Sequence, residues 1–254
     1  KTVDQLNLLG IRPINNVVDI TNELTARLGQ PVHTFDLDKI SAQTLILRES
    51  KKGEKITTLD GKTHALKGGD IVIEDGAGRL IDLCGIMGGA LSEIDENTSN
   101  VLLFVQTYEP KRIRKTSLYT QERTLAAQIF EKSPDPQLVL PTLIEGVKLL
   151  KERAGAKISS ALVDIYPTPP QPSFIDLNLN WLNSFIGISL SKTNVQKILH
   201  SLGFTSSPRS SHVLKVTVPS YRLNEVTIKE DLAEEIARVY GYFRLPSLLP
   251  PTTL

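Results

Sequence analysis

The segment Tyr166-Pro167-Thr168-Pro169-Pro170-Gln171-Pro172-Ser173 constrains this chain more than any other. Proline fixes φ and donates no backbone hydrogen bond, so this run excludes a helix interior and a central strand and favours an extended spacer. A spacer there divides the 254 residues into a domain at 1–166, a linker at 167–173 and a smaller domain at 174–246. The length agrees, since domains commonly hold ~100–200 residues. A second proline cluster, Pro246 to Pro251, closes the chain, and the opening Lys1-Thr2-Val3-Asp4 has no initiator Met. Both ends are expected to continue into something larger.

Composition removes several classes of function. Hydrophobic content of 40% and charged content of 22% describe a globular chain rather than a disordered one. Lys and Arg number 29 against 28 acids, a formal charge of +1, so nucleic-acid contact has to come from local patches. The single cysteine, Cys84, excludes a disulfide framework and a Cys-rich zinc site, and it fits a reducing compartment. No apolar run approaches the ~18–20 residues of a membrane span, and no signal-peptide pattern opens the chain. A cytoplasmic location without a membrane is expected.

Periodicity predicts an α+β first domain. Val17, Ile20, Leu24 and Leu28 recur at helical spacing over 15–28, with Gly29 to end the helix. Strands are expected at 56–59 and 64–66 around Asp60-Gly61, at 71–73 and 80–83 around Asp75-Gly76-Ala77-Gly78, and at 101–105 as a buried strand. Helical spacing returns over 138–153, with Gly155 after it. The mainly antiparallel sheet is thus flanked by helices. In the second domain, strands are expected at 174–177 and 213–218. Ser191 caps one helix and a last helix runs over 226–240, a small winged-helix-like arrangement.

Three groups of residues have chemical potential. Arg12 can bind a carboxylate or phosphate and His33 can steer a water or a hydroxyl, although turn formation and a satisfied histidine explain the same residues. Gly85-Ile86-Met87-Gly88-Gly89 lets backbone approach a ligand, but it lacks the lysine and spacing of a phosphate loop. Asp231, Glu234 and Glu235 fall at i, i+3 and i+4, which places carboxylates on one helix face, as a hard cation or a solvated acidic face requires. Their charge argues against sequence-specific DNA reading by that helix, because phosphate contacts dominate affinity. Cys84 lies in an apolar stretch and reads as core.

The run from Gly10 to Asn22, GIRPINNVVDITN, followed by GQPVHTFDLDKI over 29–40, closely resembles the beta subunit of bacterial phenylalanyl-tRNA synthetases. The resemblance continues through Thr58-Leu59-Asp60-Gly61, Gly85 to Gly89 and Asn100-Val101-Leu102-Leu103. It resumes at Leu202-Gly203-Phe204, Val218 to Arg222 and Asp231 to Tyr242. It implies an editing module followed by a small further module. It also implies an alpha-subunit partner in an α2β2 assembly, tRNA(Phe), ATP used by the whole enzyme, and Mg²⁺ shared with the alpha subunit. The editing module of that family hydrolyses tyrosine wrongly attached to the tRNA. Arg12, Asn15, His33, Gly88, Phe104, Thr124 and Ala126 would line its pocket, with water as the attacking group. Glu225, Asp231, Glu234 and Glu235 would be the Mg²⁺ ligands, Glu225 standing where Asp is usual.

Two departures bear on activity. The family places Glu immediately after the Val-Leu-Leu strand to accept the tyrosine hydroxyl; this chain has Phe104. Several polar residues of the segment that follows are apolar over 124–133. An unpaired buried hydroxyl costs ~1–3 kcal/mol, so a degenerate editing pocket is expected. The alternative is a structural, tRNA-positioning module.

Overall fold

The computed structural model describes residues 2–246. Lys1 and residues 247–254, which include all but the first proline of the second cluster, lie outside the described residues. The chain forms two compact units, Lys1–Leu162 and Val163–Leu254, and residues 155–172 carry neither helix nor strand.

The first unit opens with helices α1 (Thr2–Leu8) and α2 (Asn16–Leu28), then strand β1 (Val32–Asp36). Strands β2 (Leu45–Glu49), β3 (Lys55–Thr57), β4 (Thr63–Ala65), β5 (Ile71–Asp75), β6 (Leu80–Leu83), β7 (Met87–Gly88) and β8 (Val101–Val105) follow. Helices α3 (Pro110–Thr120), α4 (Leu125–Phe130) and α5 (Val139–Ala154) complete it. Asn15 starts α2 because its extended backbone lets Oδ1 accept the Val18 N–H, and Gly29 ends it at φ 69°, a left-handed turn. Ile20 and Leu24 of α2 bury against Leu149 and Leu150 of α5.

Three antiparallel sheets organise the strands of this unit: a four-stranded sheet in the order β2-β5-β6-β7 and the pairs β1-β8 and β3-β4. One apolar cluster joins Val72 and Leu83 to Ile56, Leu66, Ile113 and Phe130. A second joins Ile73, Ile81 and Cys84 to Phe35 and Ile40, with Phe104 and Tyr108 packed at its margin. A bulge sets which residues reach the second cluster. Ile73 pairs with Asp82 and Glu74 with Leu80, leaving Ile81 as the extra residue. Strand β8, expected to be buried, is half-buried along its whole length because its ladder has one partner strand.

The second unit contains β9 (Ser173–Asn178), α6 (Leu179–Ile186), α7 (Lys192–Ser201), β10 (Thr205–Pro208), β11 (Val213–Val218) and α8 (Lys229–Tyr240). Its three-stranded antiparallel sheet has the order β10-β11-β9. Alternation on β11 turns Leu214, Val216 and Val218 into a core with Leu182, Val195, Leu199, Phe204, Leu232 and Ile236. The β10-β11 hairpin against three helices is winged-helix-like, and both units are α+β. Helix α8 begins three residues later than its apolar spacing suggested, because the Asp231 carboxylate accepts the N–H groups of Thr227 (2.8 Å) and Ile228 (3.0 Å) and makes that point the helix N-terminus.

Candidate functional site

His33 on β1 stands opposite Phe104 on β8, and its ring meets Phe35 edge-on at 4.5 Å between centroids. Phe35 in turn lies 5.5 Å from the Phe104 ring. His33 also fills the space in front of Gly88: a Cβ built on that glycine would sit 2.6 Å from the imidazole Cε1 and 2.7 Å from Nε2. Burial holds the imidazole neutral, lowering its pKa to about 4. The Gly88 carbonyl accepts the Leu59 N–H at 2.9 Å. Three of the expected pocket residues, His33, Gly88 and Phe104, therefore meet between the β1-β8 ladder and the larger sheet.

The other four are placed differently. Thr124 caps α4, accepting the Ala127 N–H at 3.1 Å, and its hydroxyl donates to the Ile86 carbonyl at 2.8 Å, which ties α4 to the strand approach before Gly88. Ala126 packs half-buried against the Phe130 cluster. Asn15 is committed to capping α2. Arg12 is exposed.

In the second unit the four expected metal ligands do not converge. Buried Glu235 is held by Arg222 at 2.7 Å and by Arg238, and these arginines keep its carboxyl below the usual range. Glu225 pairs with Arg222 Nε at 2.8 Å. The backbone N–H groups of Thr227 and Ile228 hold the Asp231 carboxyl low, while Glu234 is exposed. Among the described residues no group of three or more His, Cys, Asp or Glu is placed to hold a metal ion. The carboxylates do not converge within the chain because Glu235 is engaged by its arginines while Asp231 reaches back to its own helix start. On this chain's residues alone the set does not fit Mg²⁺.

Sequence reasoning passed over Asp82. It is 5% exposed and pairs with Gly88 across the β6-β7 ladder. Burial raises its pKa to about 7, and the Cys84 thiol hydrogen-bonds it. The signal was present: Asp82 is the lone acid in the apolar run from Leu80 to Cys84.

The strand-built first unit and the small winged-helix-like unit that follows it each match a domain model. Residues 2–155 match the B3/4 domain, and residues 175–242 match the tRNA synthetase B5 domain. The chain belongs to the B3/4 domain family and carries a tRNA synthetase B5 domain after it. It is similar to phenylalanine–tRNA ligase beta subunits. That of Clostridium acetobutylicum is 37% identical over 244 residues, covering 96% of this chain and 30% of the relative. That of Carboxydothermus hydrogenoformans is 40% identical over 246 residues, covering 97% and 30%. The chain thus spans about 30% of the length of the curated relatives it matches. A crystal structure of an N-terminal fragment of the Pyrococcus horikoshii phenylalanyl-tRNA synthetase beta subunit aligns over 89% of this chain and 65% of its own, at a TM-score of 0.45 and 18% identity. No helix among the described residues is long and apolar enough to cross a membrane.

Proposed function

We propose that this chain is part of a phenylalanine–tRNA ligase beta subunit and serves tRNA aminoacylation in protein synthesis. Its first unit is the editing-type domain that receives tRNA(Phe) mischarged with tyrosine. The observation that carries this reading is the meeting of His33, Gly88 and Phe104 around the Phe35 ring, between the β1-β8 pair and the larger sheet. Such a domain answers a physical need, because an apolar synthetic pocket rejects an added hydroxyl only by ~10². The half-buried, neutral His33 is available to orient a water toward the ester, and the missing side chain at Gly88 is what makes room for its ring.

The assembled enzyme is an α2β2 heterotetramer with an alpha subunit, acts on tRNA(Phe) in the cytoplasm, and uses ATP and Mg²⁺ in its ligase reaction. This chain by itself does not aminoacylate. Deacylation of Tyr-tRNA(Phe) by the assembled enzyme tests the reading: hydrolysis well above the spontaneous rate is expected, and its absence in an enzyme that still charges phenylalanine would refute it. The second reading is a scaffold and tRNA-positioning module. Phe104, which cannot accept a hydroxyl where the resemblance calls for Glu, favours it, and a degenerate pocket follows if no other acceptor reaches the hydroxyl.

A further inference from the structure

The buried acids of the first unit are satisfied in strong polar networks, with one exception. Asp70 accepts from the Ser50 and Thr116 hydroxyls. Asp75 is bound by Arg79 and by the Ala77 and Arg79 N–H groups. Asp36 takes the Thr98 hydroxyl and the Asp38 N–H. Glu23 is bound by Arg153, Arg27 and Thr2. Asp19 accepts the Ile14 N–H, and Glu122 pairs with Lys62. Asp82 has the Cys84 thiol, a weak donor, and no cation pairs with it among the described residues. A carboxyl placed this deep for structural reasons would have its oxygens occupied. This one keeps acceptor capacity.

The placement of Asp82 gives that capacity an address. Cross-strand partners project from the same sheet face. Asp82 is the partner of Ile73 and of Gly88, so its side chain leaves the sheet on the face where the His33 ring covers Gly88. Phe104 packs in the same cluster as Cys84, the residue hydrogen-bonded to Asp82. The acid therefore lies on the sheet face that carries the His33–Gly88 contact, across from the β8 position where the resemblance expects an acceptor and the chain supplies a phenyl ring instead.

The geometry points to Asp82 as the hydroxyl acceptor of this pocket, supplied by β6 in place of the β8 acid that Phe104 lacks. The inference rests on the editing reading above and names the residue that makes it selective. Phe104 and Phe35 form an apolar wall for the aromatic ring. The carboxyl accepts the hydroxyl of a tyrosyl ester and is left unpaired by a phenylalanyl ester. A site built to hydrogen-bond a hydroxyl discriminates against the analogue without it far more strongly than an apolar slot can.

The test uses the full-length beta subunit assembled with its alpha subunit and measures deacylation of Tyr-tRNA(Phe) and Phe-tRNA(Phe). The expected result is faster loss of tyrosine in the unaltered enzyme. In Asp82→Leu the Tyr-to-Phe ratio falls tenfold or more with phenylalanine charging intact, and Phe104→Glu added to Asp82→Leu restores it. Where the leucine variant no longer charges phenylalanine, Asp82→Ala, which adds no bulk, carries the same test. A selective enzyme whose ratio is unchanged by loss of Asp82 overturns this inference and leaves the editing reading standing. An unaltered enzyme that hydrolyses neither ester overturns both.

Discussion

The imidazole of His33 occupies the volume that a side chain at position 88 would need, 2.6 Å from where its Cβ would lie. The two residues come from different sheets, on β1 and β7, so the absence of a side chain at one is what makes room for the other. Gly88→Ala must displace the ring or the backbone. Overpacking of this kind costs ~1–3 kcal/mol. The added methyl should destabilise the protein by about that much in urea unfolding. Gly88→Ala combined with His33→Ala should recover most of the loss. Simple additivity of the two substitutions would show that the ring is not the obstacle.

Burial moves Asp82 and His33 in directions that oppose each other. Asp82 rises from 3.8 to about 7. Between those values the native state keeps a proton that the unfolded chain has lost, so stability falls as pH climbs through the window. His33 drops from 6.5 to about 4. There the unfolded chain takes a proton that the native state refuses, so stability falls as pH descends. The two slopes offset over most of their common range. Asp82→Asn should leave a protein that gains stability from about pH 4 to 6.5, and His33→Gln one that loses stability from pH 3.8 to about 7. Each slope approaches ~1.4 kcal/mol per pH unit. Cys84 and Tyr108, which adjoin Asp82, are pushed upward and remain neutral in this window. An Asp82→Asn profile that matches the original would mean the acid is ionised in the native state.

Glu235 anchors the start of the loop before α8 to the helix itself through Arg222. Glu235→Ala leaves two arginines without their shared partner and should lower stability by about 1–3 kcal/mol, since one side chain of the pair is nearly buried. Because Glu225, Asp231 and Glu235 are already paired or capping, millimolar Mg²⁺ should not raise the melting temperature of the chain. A rise that saturates with Mg²⁺ and vanishes in Glu234→Gln would show that the ion reorganises this cluster.

Thr124 holds α4 to the strand approach before Gly88 through the Ile86 carbonyl and caps the helix at once. Thr124→Val keeps the shape and removes both bonds. A loss of about 1–2 kcal/mol is expected, and hydrogen exchange should accelerate in α4 before it does in α2.

The parts of this fold that were legible in the sequence are those with strong local chemistry. Helix α2 was marked at both ends by Asn15 and Gly29, and β11 by strict alternation. Helices α3, α4 and α6 went unread: α4 and α6 hold only 6 and 8 residues, and α3, PKRIRKTSLYT, is mostly polar and shows little apolar spacing. The start of α8 was set too early because apolar spacing does not show a side chain, Asp231, reaching back to cap the helix. In the candidate site, His33 and Gly88 were visible as motif residues, yet nothing local says that they fill one volume. The expectation that acids at i, i+3 and i+4 converge ignored the arginines that draw Glu235 inward. Asp82 was overlooked because an isolated acid in a strand ordinarily faces water; the bulge decides otherwise.

That bulge has a consequence for how a pocket of this kind changes over generations. In an unbulged β5-β6 ladder Ile81 would stand opposite Ile73 and Asp82 opposite Val72, carrying the acid to the Leu66 and Phe130 side of the sheet. One inserted codon, with no exchange of side chains, thus transfers a carboxyl from one compartment of the domain to another. Insertions and deletions inside this hairpin are mutational routes to new selectivity that a comparison of substitutions alone would not register.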